Sequence, residues 1–472
     1  MSEGNGQSPP QGWTVAPLAK ISRINPSIDC GPISDDAEVN FVPMRALDAE
    51  GGGLVRPDRR LFREVKKGYT PFLSGDVIMA KITPCMENGK TTVVPSLPGR
   101  VCFGSTEFHV VRGEDGISPR WLSNFLLQYH VRRSAQRAMT GGVGQMRVPA
   151  SFLENLNIPI APTAEQDRIC DALDELLSDL DAGVAALERT KAKLAQYREA
   201  VLKAAVEGAL VSFSARLERQ NLGTLIESVN QGWSPKCERQ ASVDSDVWCI
   251  IKTTAIQAMK FLPNENKVLP TGLSPRPQLQ IVEGDLLMTR AGPRARAAVT
   301  CLVRSSRPRL MLCDKAYIIR CKKEKVCPAY LEVCFNAPQI IEALDTLKTG
   351  ISDSGVNLTQ ARLLELIVPL PSPDDQLAVV EAVENQMSVV EHLQGDLDAK
   401  LKSTQSLRQS LLRHAFFGKL VPQDLDDEPA TELLKRIAAE REKLARIAVA
   451  ERNSIPSHGR RGNARRNRNE HR

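Results

Sequence analysis

The sequence predicts a mixed α+β fold built twice: two similar α/β domains and two long helices that need each other to bury their apolar faces. Three observations predict it. A heptad-spaced stretch runs from Gln166 to Val211. The same stretch recurs 210 positions later, from Gln376 to Val421. The segments between and before the copies carry matching turns and strands in one order.

The first domain is expected over residues 1–165, with a polar lead from Met1 to Trp13. Val39 to Met44 reads as a strand, Gly75-Asp76 as a turn, and Val77 to Ile82 as a buried strand of β-branched and apolar residues. Thr91 to Val94 and Phe108 to Val111 are further strands. Ser118-Pro119 opens a helix, the serine as cap and the proline in the first turn, with Trp121, Leu122, Phe125 and Leu126 on one face. A glycine loop, Thr140 to Gln145, precedes Phe152-Leu153.

The first long helix follows, over 166–211. Leu173, Leu177, Leu180, Val184, Leu187, Leu194, Val201 and Ala205 form a seam in steps of four and three, or seven where a polar residue intervenes. That spacing belongs to a helix packed along another helix. Lys191 and Arg198 are polar marks within it. About 40 residues of helix span roughly 60 Å.

The second domain, 212–375, repeats the plan. Gly284-Asp285 stands for Gly75-Asp76, Leu286 to Arg290 for the strand after it, Tyr317 to Arg320 for His109 to Arg112, and Pro328 to Leu331 for Pro119 to Leu122. Gly350 to Asn357 is its flexible loop. The second helix, 376–421, has its seam at Val383, Met387, Val390, Leu397, Leu401, Leu411 and Ala415, interrupted by Gln394, Thr404 and Arg408. Ile158-Pro159-Ile160 before the first helix becomes Val368-Pro369-Leu370 before the second. The repeat preserves glycines, prolines and arginines as well as apolar spacing, so it is an internal duplication. Residues 422–472 form a tail: a charged helix from Ala430 to Ala450, then a disordered basic arm with Arg460, Arg461, Arg465, Arg466 and Arg468.

Composition narrows the class. Hydrophobic residues make up 42% of the 472, enough for real cores. The start lacks the apolar core of a signal peptide, and no uncharged apolar run reaches the length of a membrane span. Eleven scattered cysteines without a C-x-x-C pair argue against a disulfide framework and a zinc site and fit a reducing cytoplasm. A net charge of +6 permits a polyanionic partner.

No catalytic constellation is visible. Gly89-Lys90-Thr91 resembles the end of a phosphate loop, but Pro84 stands where its first glycine belongs. Asn25-Pro26-Ser27-Ile28 lacks the aromatic that stacks on a flipped base. The six histidines do not cluster, and His109 and His130 read as ordinary strand and helix residues. The candidate functional residues are cations. Arg290, Arg294, Arg296, Arg304, Arg307 and Arg309 fall within twenty positions, and arginine grips phosphates and reads guanine edges. In the first domain Arg132, Arg133, Arg137 and Arg147 surround the glycine loop, where Gln145 has the amide that can pair with adenine. Against DNA binding stands the plainer alternative of a solvated face on a coiled-coil scaffold or adaptor.

These residues resemble the specificity subunits of type I restriction-modification enzymes over roughly residues 12–445. The resemblance rests on Gly75 to Ile78, on the run Ile158-Pro159-Ile160-Ala161-Pro162-Thr163-Ala164-Glu165-Gln166-Asp167-Arg168-Ile169, and on Gly418 to Asp424. The second copy has Asp375-Gln376 for Glu165-Gln166, which keeps charge and amide. The resemblance implies two target-recognition domains, each reading half of a split double-stranded DNA sequence. It implies that the long helices pair as an antiparallel coiled coil with pseudo-twofold symmetry and set the distance between halves. It implies methyltransferase subunits, two of them, docking on this chain, and a nuclease/translocase subunit joining for cleavage. S-adenosylmethionine, ATP and magnesium would belong to those partners, and this chain would bind no cofactor and catalyse nothing itself.

Overall fold

The computed structural model describes residues 9–49, 53, 57–99, 101–142, 144–238, 240–350 and 352–454. Contacts divide the chain into two compact units, 1–184 with 402–472 and 185–401. Each long helix contributes to both units.

In the first unit, an antiparallel sheet has the order Ser22–Ile24, Phe108–Gly113, Val77–Ala80, Thr91–Val93. A second sheet has the order Asp58–Leu61, Glu38–Val42, Cys102–Gly104, Thr70–Phe72. Val77–Ala80 is buried throughout because alternate side chains leave opposite faces of a strand. Val77 and Met79 enter the core under the helices, while Ile78 enters the core between the sheets. Helix Pro119–Leu126 presses Trp121, Leu122, Phe125 and Leu126 into the first of these cores. The expected serine cap is not made: no side-chain bond from Ser118 closes the helix. Its backbone N–H is held instead by a side chain from far along the chain.

The second unit repeats the frame. Its sheet runs Ile226–Gln231, Ala316–Cys321, Leu286–Thr289, Thr300–Leu302, again antiparallel throughout. Leu286 and Met288 face the helical core and Leu287 the other, as their counterparts do. A three-stranded sheet, Asn266–Val268, Cys249–Ile251, Leu310–Met311, takes the place of the four-stranded one. Val356–Asn357, in the loop expected to be flexible, pairs with Ala291–Gly292.

Each long helix is entered from a short antiparallel pair: Thr14–Pro17 with Asn157–Ile160, and Glu218–Asn221 with Ile367–Leu370. The helices are Thr163–Glu207 and Pro373–Phe416. They begin three residues before Gln166 and Gln376 and end before Val211 and Val421, at Glu207 and Phe416. The stops are glycines in the left-handed region, Gly208 at φ +77° and Gly418 at φ +64°. Leu210 and Val211 then fold back onto the second unit's core, as Leu420 and Val421 do onto the first.

The helices pack together along the predicted seam. In the first unit Leu173 and Leu177 share a core with Leu411, Leu412, Ala415 and Phe416, and Arg408 pairs with Asp181. In the second unit Val201, Leu202, Ala205 and Val206 share a core with Val379, Val383 and Met387. There Lys191 pairs with Asp398 at 2.7 Å, and the Tyr197 hydroxyl donates to Gln386 at 2.7 Å. Partner numbers fall as helix numbers rise, so the pair is antiparallel. Gln394, expected in the seam, is exposed.

The tail helix, expected as an appendage, is Ala430–Ser454 and is part of the first unit. Ala430, Leu433 and Ile437 are buried in its core. Arg441 bonds the carbonyls of Ala19 and Ser22 and pairs with Glu114 at 2.9 Å. The basic arm beyond Ser457 lies outside the described residues. Among the described residues no helix is long and apolar enough to cross a membrane.

Candidate nucleic-acid interface

The duplicated residues turn out to be clamps. In each unit an aspartate after a glycine turn takes an arginine from the neighbouring strand in two bonds. Asp76 accepts from Arg112 at 2.6 and 2.7 Å, and Asp285 from Arg320 at 2.8 and 3.2 Å. Both carboxylates also accept the backbone N–H three residues earlier, of Leu73 and of Val282, which closes the turn. Trp121 Nε1 donates to the Pro159 carbonyl, and the Tyr330 hydroxyl to that of Pro369. Two different aromatics thus fix the equivalent strand in each unit.

The amide at the head of each long helix joins helix to unit. Gln166 Oε1 accepts the Ser118 N–H at 3.0 Å, and its Nε2 donates to the Ala161 carbonyl at 2.9 Å. Gln376 accepts the Cys327 N–H at 2.8 Å and donates to the Pro371 carbonyl at 3.0 Å. The acids beside them do matching work. Glu165 accepts from Trp13 Nε1 at 2.9 Å, and burial pushes its carboxyl up. Asp375 accepts the Ser214 hydroxyl at 2.8 Å. The Ser372 hydroxyl, then that of Ser214, holds it below the usual carboxylate range.

The candidate arginines of the second unit each bond to groups of their own chain. Arg290 donates to the Asp314 carbonyl and to Asn357. Arg294 pairs with Asp345 at 2.8 Å and Asp353 at 3.0 Å. Arg296 donates to the carbonyls of Thr253 and Ile256 at 2.9 and 2.8 Å. Arg304 pairs with Glu332 at 2.9 Å, a fully buried carboxylate, and with Glu384. Arg307 donates to the carbonyls of Asp244 and Val247, and Arg309 pairs with Asp246. Each guanidinium spends donors on its own chain, in several neighbourhoods.

The first-unit candidates divide. Arg147 lies at the base of the glycine loop, in two bonds to Glu107 of 2.9 and 2.7 Å, which hold that carboxyl low. Gln145 is exposed near the loop tip. Arg132 and Arg133 lie on helix Tyr129–Arg137, with Arg132 buried against the Glu87 carbonyl and Arg133 exposed. His109 is buried, donating to or accepting from Asn25 and bonding the Val148 carbonyl, and burial lowers its pKa. Lys90 reaches the Met44 carbonyl.

Sequence reading missed a basic cleft of about 500 Å³ in the second unit. Lys252, Lys267 and Lys315 line it with Ser234 and Thr254. Next to Ser234 in sequence, Trp233 carries Arg276 stacked over its ring, 4.2 Å from the centroid. Gly232 lets Trp233 sit there, because a Cβ would collide with the carbonyl oxygens of Leu312 and Cys313. No local pattern announces three lysines from separate strands and loops. Among the described residues no group of three or more His, Cys, Asp or Glu is arranged to hold a metal. All eleven cysteines are free, and burial pushes the thiols of Cys170, Cys301, Cys321 and Cys334 up to about 12.

No family model matches the chain. The specificity subunit of the type I restriction enzyme EcoEI from Escherichia coli is 30% identical over 489 aligned positions, which cover 85% of this chain and 82% of that protein. The chain belongs to the type I restriction enzyme specificity subunits. A second specificity subunit, that of EcoKI from Escherichia coli K12, is 26% identical over 92% of this chain and 96% of its own length. The EcoAI specificity subunit is 38% identical, but over 36% of this chain. The fold agrees. A structure solved for the assembly and conformational transition of a type I restriction-modification system has a TM-score of 0.66 at 19% identity, covering 88% of this chain and all of that one. The HsdS subunit from Thermoanaerobacter tengcongensis has a TM-score of 0.50 at 18% identity, covering 89% of this chain and all of that one. As a specificity subunit, the chain contributes recognition to a restriction-modification complex rather than its chemistry.

Proposed function

We propose that this specificity subunit reads a split DNA target, one unit to each half, and directs adenine methylation and cleavage by partner subunits. The observation that carries the reading is the repeated frame with unlike loops. Both units keep the Asp-Arg turn clamp, the aromatic-to-proline bond and the glutamine at the helix head. Between those anchors their outer sheets, loops and cation positions differ. A shared frame bearing different surfaces suits two readers of different sequences. Joining them on one chain makes the second contact effectively intramolecular, which raises affinity without new contacts.

Two methyltransferase subunits dock on this chain, and a nuclease/translocase subunit joins them. S-adenosylmethionine, ATP and magnesium serve those partners. DNA contact in the second unit centres on Lys267, Lys315 and the Trp233–Arg276 stack, with the Arg290–Arg309 segment holding the surrounding loops in place. In the first unit Gln145 and Arg147 present the glycine loop. Phosphate contacts supply most of the affinity and base contacts the selectivity.

The purified chain alone should neither methylate nor cut DNA. Co-expressed with its methyltransferase subunits, it should place methyl groups on adenines within one two-part sequence, and the complex should lose affinity steeply with salt. Methyl transfer by the partner-free chain, or a complex that binds every duplex alike, contradicts the reading. The second result is what a scaffold without sequence reading would give.

A further inference from the structure

Helix Tyr129–Arg137 and the Lys402–Arg413 stretch of the second long helix border a cleft of about 850 Å³ in the first unit. Four cations line it, Arg132, Arg133, Lys402 and Arg413, against one carboxylate, Glu87. Arg133, Lys402 and Arg413 are exposed and form no ion pair among the described residues. Gln128, which caps the start of that short helix, also lines the cleft. Its side chain is buried, at 3% exposure, and its Nε2 has no hydrogen-bond partner among the described residues. A buried amide donor without a partner costs about 1–3 kcal/mol, so such a group calls for an acceptor.

The repeat shows that the frame does not need Gln128, Arg132, Arg133 or Lys402. The second unit's matching helix, Pro338–Leu347, is capped by Ala337 in place of Gln128. Ile341 and Glu342 stand where Arg132 and Arg133 do. The same fold forms there without those two cations or the buried amide, while Ala192 stands where Lys402 does and Lys203 keeps a cation where Arg413 does.

We propose that this cleft binds a backbone phosphate of the DNA, with Gln128 donating to an oxygen and Arg133, Lys402 and Arg413 supplying charge. The assignment rests on the DNA-reading function proposed above and adds a sequence-independent contact to it. The lining favours a polyanion over a protein. Protein-docking grooves are built around apolar and aromatic anchors, whereas no aliphatic side chain lines this cleft and Tyr129 and His130 are its only rings. Phosphate contact from a helix that also belongs to the spacer would fix the register of the first unit on the duplex without reading bases.

The test uses the complete complex with its methyltransferase subunits. Binding is measured against salt on a duplex carrying the mapped target and on an unrelated duplex of equal length. The double variant Lys402→Ala, Arg413→Ala changes exposed side chains only, so folding is preserved. It should flatten the slope of log affinity against log salt by about 0.9 for each phosphate that is no longer neutralised. It should weaken both duplexes by the same factor and leave the methylated sequence unchanged. Gln128→Leu, which changes no charge, should weaken both duplexes while leaving the slope as it was. An unaltered slope and affinity in the folded double variant overturns the proposal. So does loss of methyltransferase association with an unaltered slope, which would assign the cleft to an acidic protein surface. If the wild-type complex prefers no sequence, the DNA-reading function fails, while the slope on the unrelated duplex still decides the cleft.

Discussion

Gln166 and Gln376 each satisfy one half-buried N–H and one buried carbonyl with a single side chain. Replacement by leucine keeps the volume roughly and removes both bonds. Each orphaned group costs about 1–3 kcal/mol, so either variant should lose roughly 2 kcal/mol or more of stability in urea unfolding. Values within about 0.5 kcal/mol of wild type, the range of neutral surface changes, would mean that these amides are not joints. The arginines follow the same logic. Arg296→Ala removes three bonds that tie its loop to Thr253, Ile256 and Gln257. It should lower the melting temperature, whereas Lys315→Ala, at an exposed position on the cleft, should lower DNA affinity and leave melting unchanged. Melting curves and binding isotherms on the two variants separate the roles, and the reverse pattern would make Arg296 the DNA contact. Residue-scale roles were the least legible in the sequence. A run of arginines shows charge, but the partners that absorb it stand far off, as Thr253 does 43 positions from Arg296. Gln166 was visible as a repeated letter, while its bond to Ser118 across 48 positions was not.

At the scale of elements, the long helices were legible because a heptad seam is a local pattern. Leu177, Leu180, Val184, Leu187, Lys191, Leu194 and Arg198 are all half-buried among exposed neighbours, as the spacing requires. Their ends were less legible. The apolar residues after each glycine continue the composition of the helix, but a positive φ turns the chain and sends them back to the core. The glycines therefore carry a prediction. At Gly418 a Cβ would stand 2.6 Å from Pro10 Cγ, and at Gly208 2.8 Å from the Phe213 ring. Alanine at either position meets both the left-handed backbone and a close contact, so it should destabilise its unit by about 1–3 kcal/mol. Thermal unfolding unchanged by Gly208→Ala would show that the chain can leave the helix another way. The tail helix was legible as a helix but not as part of a core. Its apolar stripe is split: Leu433 and Ile437 are buried, whereas Leu444 and Ile447 are 43% and 45% exposed. Nothing local to the tail distinguishes the halves, because what buries the first is the far end of the chain.

At the scale of the molecule, the duplication made the architecture readable before any single residue was understood. A frame used twice exposes what it needs: the clamps recur, and the loops and outer sheets do not. The same comparison isolates Gln128, Arg132, Arg133 and Lys402 as additions to one copy. Each long helix runs from one unit into the other, so the distance between the two readers on DNA should follow helix length. The direct test inserts one heptad into each helix, after Lys191 and after Leu397, where Lys191 and Asp398 face each other. Matched heptads keep the seam in phase and lengthen each helix by about 10 Å, about three base-pair steps of 3.4 Å. Methylated adenines are then mapped in DNA from cells expressing the variant with its methyltransferase subunits. Both half-sequences should stay unchanged, and the undefined gap between them should grow by about three base pairs. An active variant with the original gap, or with altered half-sequences, would contradict it.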